Sequence, residues 1–499
     1  MQNTLRSCPQ ISLVAALNTL VCGALCMAFT IGAAADEASD ASPGKDESVN
    51  WSDLTRKDLT GARDIILSSH PAGAEAFGDT AFLAAEAEAY DRLMAKAQTV
   101  QSAGGYRALL TAYALSFNDS HIAPSFDGEA SERLWPGFLA KRWDGRTWIA
   151  FSTIDAVPVG SEVLACDQTP IAAYGEARLG QYVRNWTFEA NRIKATPYLF
   201  IDSGNPFTTP PGRCDFKVDG EIISYTLSYR PFASDPQHGA VQSAFRRQDQ
   251  YTMDSFGADG LWISLPQLYG EAYRFLDTLE TQKAQIAAAK VVIVDVRGNG
   301  GGNSALGDRL ADLLGLPHEA TDHSDDNVSW RLSRGNLEAI ESYLEDPDLG
   351  AEVKDYIREM VADGTAALQA GEQYMPPLAA VPVRRPSLQS AVERPSEARV
   401  ILLTDAYCFS SCLMLAHRFI AGGALQVGTV TDGDGWFMEV ASRPLPSGRA
   451  RFSTMMKVNL NYDQALGPFQ PQIAYGGDMS DTAALKAWVQ TIRDGAFDD

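Results

Sequence analysis

Apolar positions recur along this chain with three different periods, in three consecutive blocks. Between Trp51 and about Phe126 they return every three or four residues: Leu83, Ala87, Tyr90 and Met94 share one helical face, and Tyr106, Leu109, Leu110, Tyr113 and Phe117 share another. These patterns predict a small helical domain over 51–127. From 128 to 235 the period shortens to two. Ile223, Tyr225, Leu227 and Tyr229 alternate with Ser224, Thr226 and Ser228 after Asp219-Gly220, a dipeptide suited to a hairpin turn, so a β-rich domain is expected. From 236 to 499 the apolar runs become continuous: GLWISL at 260–265, KVVIVDV at 290–296 and ARVILLTD at 398–405. Helical patterns follow them, from about Tyr273 to Ala289, from about Ser304 and from about Ser410. Strand and helix in alternation imply βαβ units and a mostly parallel sheet, so the fold class expected is multidomain α/β. A charged, helix-prone insertion over about 318–395, with Val353, Ile357, Met360 and Val361 on one stripe, interrupts the alternation. No repeat of fixed period occurs.

The first 35 residues change the picture of where the protein works. They carry one charge, Arg6, then an apolar run from Ile11 to about Ala34, and end in Ala33-Ala34-Ala35 before an acidic linker at 36–50. This is the layout of a secretory signal peptide; the competing reading, given the length of the run, is an uncleaved membrane anchor. Neither Cys22 nor Cys26 follows the small residue that a lipoprotein signal needs. Asp405, His417 and Arg418 interrupt the best later candidate for a span, so an exported protein, periplasmic or secreted, without stable membrane insertion is expected.

Charge and cysteine usage agree with export. The 41 Lys and Arg against 63 Asp and Glu leave a net charge of −22, and loss of Arg6 makes the mature chain more acidic still. Such a surface repels nucleic acid. Of the 7 cysteines, those beyond the signal are Cys166, Cys214, Cys408 and Cys412. An even set in an exported chain permits two disulfides, and proximity favours Cys166 with Cys214 and Cys408 with Cys412, the second being geometrically demanding. No C-x2-C pair or H-E-x-x-H occurs, so neither a metal nor a cofactor is expected.

Two loops carry candidate chemistry, each at the carboxyl end of a buried strand. DVRGNGGGNS at 295–304 lacks the third glycine of a dinucleotide loop, and Asp295 and Arg297 have no place in that motif. Consecutive glycines do offer backbone N–H groups that can approach a reacting atom, as in an oxyanion hole; the plain alternative is a tight turn closing a βα unit. TDAYCFSSCL at 404–413 crowds two serines and two cysteines before a helix. A serine there is ordinarily an N-cap, but neither Ser410 nor Ser411 has the Glu or Gln three residues on that completes a capping box. A hydroxyl at that position gains from the helix dipole, and the following N–H can face a developing oxyanion.

Together the two loops resemble those of the C-terminal processing, or tail-specific, serine peptidases and their tricorn and retinoid-binding-protein-like relatives. AYALSFNDSHIAPSF resembles that family's helix-ending Asp-x-His segment, and VPVGSEVLACDQTPI at 157–171 resembles part of its PDZ-like domain. The likeness covers most of 51–475, with no counterpart for the insertion. It implies a ClpP/crotonase-like α/β catalytic core, an N-terminal helical domain and a PDZ-like β-rich domain that acts on a peptide or protein substrate. It also implies Ser410 as nucleophile, with the N–H of Ser411 and a glycine among Gly300, Gly301 and Gly302 as oxyanion hole.

One departure matters. Processing peptidases use a Ser-Lys dyad, yet in VGTVTDGDG the aspartate Asp434 stands at the lysine position, and Lys457 is too far along to align. The tricorn-like route, with a histidine base from the upstream segment, implies His121, with Ser120 beside it. The orienting acid is assigned to Asp463, with Asp434 and Asp119 as alternatives, since Ala465 stands where the family has its glutamate. The expectation is an exported serine peptidase. The rival is a non-catalytic protein that binds a peptide or apolar ligand on the same fold, and an esterase is a third reading.

Overall fold

The computed structural model describes residues 49–128, 132–233, 235–236, 239, 249–317, 328–347, 349–380, 398–435, 437–460 and 466–495. The signal segment, most of the acidic linker and Asp463 lie outside the described residues. No helix among the described residues is long and apolar enough to cross a membrane.

The architecture is multidomain α/β. Its centre is a six-stranded sheet in which Gly260–Ser264, Val291–Asp295, Arg399–Thr404, Leu425–Gly428 and Ile473–Ala474 run parallel in that order, with Thr252–Phe256 antiparallel on the other edge beside Gly260–Ser264. All five residues of Val291–Asp295 are buried, which is why this strand is an unbroken apolar run rather than an alternating one. Val292, Val294, Val400 and Leu402 face a core shared with helices Glu271–Thr281, Ser304–Leu313 and Ser411–Ala421, while Ile293, Ile401 and Leu403 face the terminal helix Thr482–Gly495. The predicted helix over 273–289 is two, Glu271–Thr281 and Lys283–Ala288.

A second sheet gathers distant segments around Ala450–Asn459. Phe437–Pro444 pairs with it, as do Ala123–Phe126 and Val328–Arg331, and Tyr374–Met375 adds to the last. The stretch read as a helical insertion therefore supplies strands as well as helices Arg334–Glu341 and Ala351–Gln369. The helices Trp51–Ser69, Thr80–Ala97 and Ala103–Leu115 share their core with Leu445, Ala450 and Phe452. In Thr80–Ala97 the buried stripe is Glu86, Ala89, Leu93 and Ala97; Leu83, Ala87, Tyr90 and Met94 are half-buried beside it. Glu86 turns inward because Tyr113 Oη donates to it at 2.9 Å and Arg63 pairs with it at 3.2 Å, a polar contact that apolar counting misses.

Residues 138–226 form an antiparallel sheet in the order Phe138–Trp143, Arg146–Ser152, Glu162–Cys166, Arg213–Val218, Glu221–Thr226, with helix Ile171–Leu179 packed beside it, and Leu134–Trp135 pairs with Arg230–Pro231 as a separate two-stranded sheet. Asp219 and Gly220 both have positive φ, 50° and 90°, as the two-residue hairpin turn requires. Cys166 lies opposite Cys214 on neighbouring strands and is bonded to it.

Candidate active site

The parallel sheet aims two loops at one place. Val291–Asp295 ends in Asp295, whose carboxylate takes a bidentate bond from Arg297 at 2.9 and 2.6 Å; both are buried, and Arg297 reaches on to the Met479 carbonyl at 2.6 Å. The two charges foreign to a nucleotide motif thus anchor the glycine loop to the chain before the terminal helix. Asp405, at the end of the next strand, accepts the Gly298 N–H at 3.0 Å and the Tyr407 N–H at 3.0 Å, tying the glycine and serine loops together. Asn299 donates to the Leu265 carbonyl at 2.8 Å and accepts the Gly301 N–H at 2.8 Å.

Gly301 has φ 103°, and a Cβ built there would stand 2.9 Å from both Ser410 Cβ and Ser411 N. Only a glycine lets the two loops approach so closely. Ser411 spends its hydroxyl on the Gly302 carbonyl at 2.6 Å, while its N–H donates to no acceptor among the described residues. Helix Ser411–Ala421 begins there, so this N–H carries the positive end of the helix dipole.

Ser410 occupies the N-cap position but its side chain caps nothing. Its backbone is at φ 56°, ψ −128°, a region that non-glycine residues enter at a cost. Ser410 Oγ lies 3.1 Å from His121 Nε2. His121 arrives on the turn between helix Ala103–Leu115 and strand Ala123–Phe126, and that strand's pairing with Ala450–Asn459, Ala123 opposite Ser453, carries the imidazole to its place. His121 packs on Phe409 with ring centroids 4.6 Å apart. Ser120 contributes no hydrogen bond among the described residues.

Two carboxylates flank the far side of the imidazole. Nδ1 is 3.2 Å from Asp119 Oδ1 and 3.4 Å from Asp434 Oδ1, and Asp119 Oδ1 also accepts the His121 N–H at 2.8 Å. Asp434, which replaces the lysine in sequence, therefore stands against the histidine. Burial alone would lower the His121 pKa, but the charge of Asp434 and hydrogen bonds to both acids raise it well above the ordinary histidine value. Burial pushes Asp434 up against the pull of the imidazole, whereas the hydrogen bonds from His121 hold Asp119 down despite its burial. Among the described residues these three are the set close enough to share a metal ion, with ligand atoms within 4.8 Å of one another. An ion there would displace the proton that the Nδ1 hydrogen bonds need. Lys457 is engaged elsewhere, 3.1 Å from Glu439.

Arg184, unmarked by any motif, touches all three converging segments. It pairs with Asp432, donates to the Asn118 carbonyl at 3.5 Å and lies 5.7 Å from the Phe409 ring; Lys194 joins it on Asp432. A single arginine in an irregular stretch carries no periodic signal, so nothing in the sequence pointed to it. Asn299 and Asp405 were equally silent, although both sit at loop starts where side chains commonly bind backbone.

No family model matches the chain, and no curated protein is significantly similar to it. Solved structures do match. The structure of mature CPAF complexed with lactacystin is 14% identical, with 89% of this chain and 100% of that chain covered at a TM-score of 0.56. This chain shares the fold of mature CPAF. A second structure of mature CPAF agrees, at 14% identity, 90% and 99% coverage and a TM-score of 0.56. Tricorn protease matches more loosely, at 11% identity, 89% and 37% coverage and a TM-score of 0.34, too distant to carry an argument. At 14% identity the CPAF match establishes the fold and not the activity.

Proposed function

We propose that the chain is an exported serine peptidase with Ser410 as nucleophile and His121 as general base. The observation that carries this is the 3.1 Å contact between His121 Nε2 and Ser410 Oγ, made by a serine whose backbone is strained and whose side chain does no capping. In the reaction, Nε2 takes the Oγ proton as Oγ attacks an amide carbonyl. The oxyanion meets the Ser411 N–H and a second N–H from the glycine loop Gly300-Gly301-Gly302, of which the Gly301 N–H is committed to Asn299. Asp119 and Asp434 hold the imidazolium, which returns its proton to the leaving amine, and water then frees the acyl-enzyme. Asp434 and Asp119 here replace Asp463 as the orienting acids, because both reach Nδ1.

Export is supported by two disulfides and the leader-like N-terminus. On this reading 236–499 is a ClpP/crotonase-like core and 128–235 a PDZ-like domain that captures an extended peptide or its carboxylate. The test is labelling by a rhodamine fluorophosphonate, with lactacystin as second probe because mature CPAF was solved in complex with it. Labelling of wild type, absent from Ser410→Ala, is expected. Folded wild-type protein that takes up neither probe would instead be a binding protein.

A further inference from the structure

Ser410 stands inside a covalent ring. Cys408 and Cys412 are bonded to each other with Cα atoms 5.3 Å apart, both fully buried, and the ring they close holds only Phe409, Ser410 and Ser411. The same ring is held from outside by the loops that deliver the other groups. Phe409 N–H donates to the Asn299 carbonyl at 3.2 Å, on the glycine loop, and the Cys408 carbonyl accepts the Asp432 N–H at 3.1 Å, two residues before Asp434. Within it, Cys412 N–H donates back to the Phe409 carbonyl at 3.1 Å. The positive φ of Ser410 persists only while its surroundings over-determine it, and the disulfide is the one covalent restraint among them.

The second disulfide shows what this one is not. Cys166–Cys214 spans a sequence separation of 48, against 4 for Cys408–Cys412. Loop-closure entropy gives the shorter ring about half the stabilising effect of the longer. A bond placed for stability alone would join distant segments; this one joins the two flanks of one serine.

We infer that the Cys408–Cys412 bond is a positioning device that holds Ser410 in its reactive conformation, so that hydrolysis becomes competent only after these two thiols are oxidised. The inference rests on Ser410 being the nucleophile. In the oxidation, the two thiols give up two electrons and two protons to a disulfide-exchange oxidant such as oxidised glutathione, which leaves as two thiols. No atom of Ser410 takes part. Without the bond the loop retains its hydrogen bonds but loses the restraint on the serine backbone. A displacement of Oγ by about 1 Å from Nε2 costs up to about 100-fold in rate. Chain that folds in a reducing compartment is thereby kept quiet, and the burial of both sulfurs protects the bond once it has formed.

The test uses the full mature chain carrying Cys166→Ala and Cys214→Ala, which leaves one disulfide. It is unfolded with dithiothreitol, then refolded either in dithiothreitol or in a glutathione redox buffer, with thiols counted and folding checked by circular dichroism. Fluorophosphonate labelling of Ser410 is resolved into a maximal rate and a half-saturation concentration. The oxidised form is expected to label with a maximal rate about 10- to 100-fold higher, with half-saturation changed by less than about twofold, and oxidised glutathione should restore the rate to the reduced form. Cys408→Ala with Cys412→Ala in the otherwise native chain should match the reduced form. Equal maximal rates for folded reduced and oxidised protein overturn the inference, as does failure of both the reduced and the double-alanine proteins to fold, since the bond would then serve folding. If fully oxidised wild type is not labelled at all, the peptidase reading itself falls.

Discussion

His70 links the buried site to stability in a way that can be measured. It ends the first helix, fully buried, with its ring stacked 4.7 Å from Phe82 and edge-on 4.4 Å from Phe437. Nδ1 accepts the Ala72 N–H at 3.1 Å, so the proton of the neutral ring sits on Nε2. Burial lowers its pKa to about 4 from the ordinary 6.5, against a raising pull from Asp119. In the unfolded chain His70 takes a proton below pH 6.5, whereas in the folded protein it waits until about pH 4. Stability is therefore intact above pH 6.5 and drains away as pH falls from 6.5 to 4, by about 3 kcal/mol in all and about 2 to 3 kcal/mol by pH 4.5. His121 does not mask this: its raised pKa contributes stability that is fully present below 6.5 and is lost only as pH rises through its folded value. His70→Gln keeps an acceptor for Ala72 without a titratable proton. Urea midpoints of both proteins at pH 7 and pH 4.5, converted with a common slope, should show the mutant losing about 2 kcal/mol less over that interval. Equal losses in the two proteins would falsify the assignment of a neutral, buried His70.

Three further outcomes concern the site itself. Because Asp434 and Asp119 hold the proton on His121, the fluorophosphonate rate at Ser410 should rise with pH through a limb above the ordinary histidine range, and Asp434→Asn should move that limb to lower pH; an unmoved limb would show that Asp434 does not act on the imidazole. Gly301→Ala should cut labelling by about 100-fold or more with the fold kept, since its Cβ would press on the Phe409 carbonyl, Ser410 Cβ and Ser411 N at 2.8 to 2.9 Å from a φ of 103°; unchanged labelling would place the serine loop elsewhere. Cys166→Ala with Cys214→Ala, which opens the longer covalent loop, should cost about 4 kcal/mol in denaturant unfolding and leave the Ser410 rate intact, whereas a parallel loss of rate would tie that sheet directly to catalysis.

What could be read from the sequence followed physical regularity. Val291–Asp295 and Arg399–Thr404 were legible because strands buried on both faces keep polar residues to their ends, here Asp295, Arg399 and Thr404. Ser410 and the glycine loop were legible because both follow such strands. His121 was named by resemblance, and only the pairing of Ala123–Phe126 with the C-terminal strand delivers it, a contact spanning more than three hundred residues that no local pattern encodes. The acid was harder. Alignment puts Ala465 at the acid position and leaves Asp463 only as a nearby substitute, which lies outside the described residues, whereas Asp434, bridged to Leu466, stands 3.4 Å from the ring. Glu86 misled the helical reading since its partners, Tyr113 and Arg63, come from other helices.

The replacement of an amine by Asp434 has a chemical logic that the geometry makes plain. A lysine base must be neutral to act, so its site has to suppress positive charge by burial. An imidazole base must instead survive as a cation between its two proton transfers, and its site has to welcome charge. Under the proposed mechanism, the position where the peptidases that the sequence resembles have their lysine base carries Asp434, which supports a different base. Asp434 stands 3.4 Å from Nδ1 and Asp119 3.2 Å from it, so the developing imidazolium is met from both sides within a buried pocket. Two anions facing one cation would leave excess negative charge there. Arg184 and Lys194 together bring two positive charges to the single carboxylate of Asp432, and this surplus, with Arg184 within reach of the field of Asp434, offsets it from the side of the β-rich sheet. The positive charge that balances the site is thus supplied from outside the parallel-sheet region, so under the proposed mechanism the electrostatics depend on how the β-rich sheet is seated against the three loops.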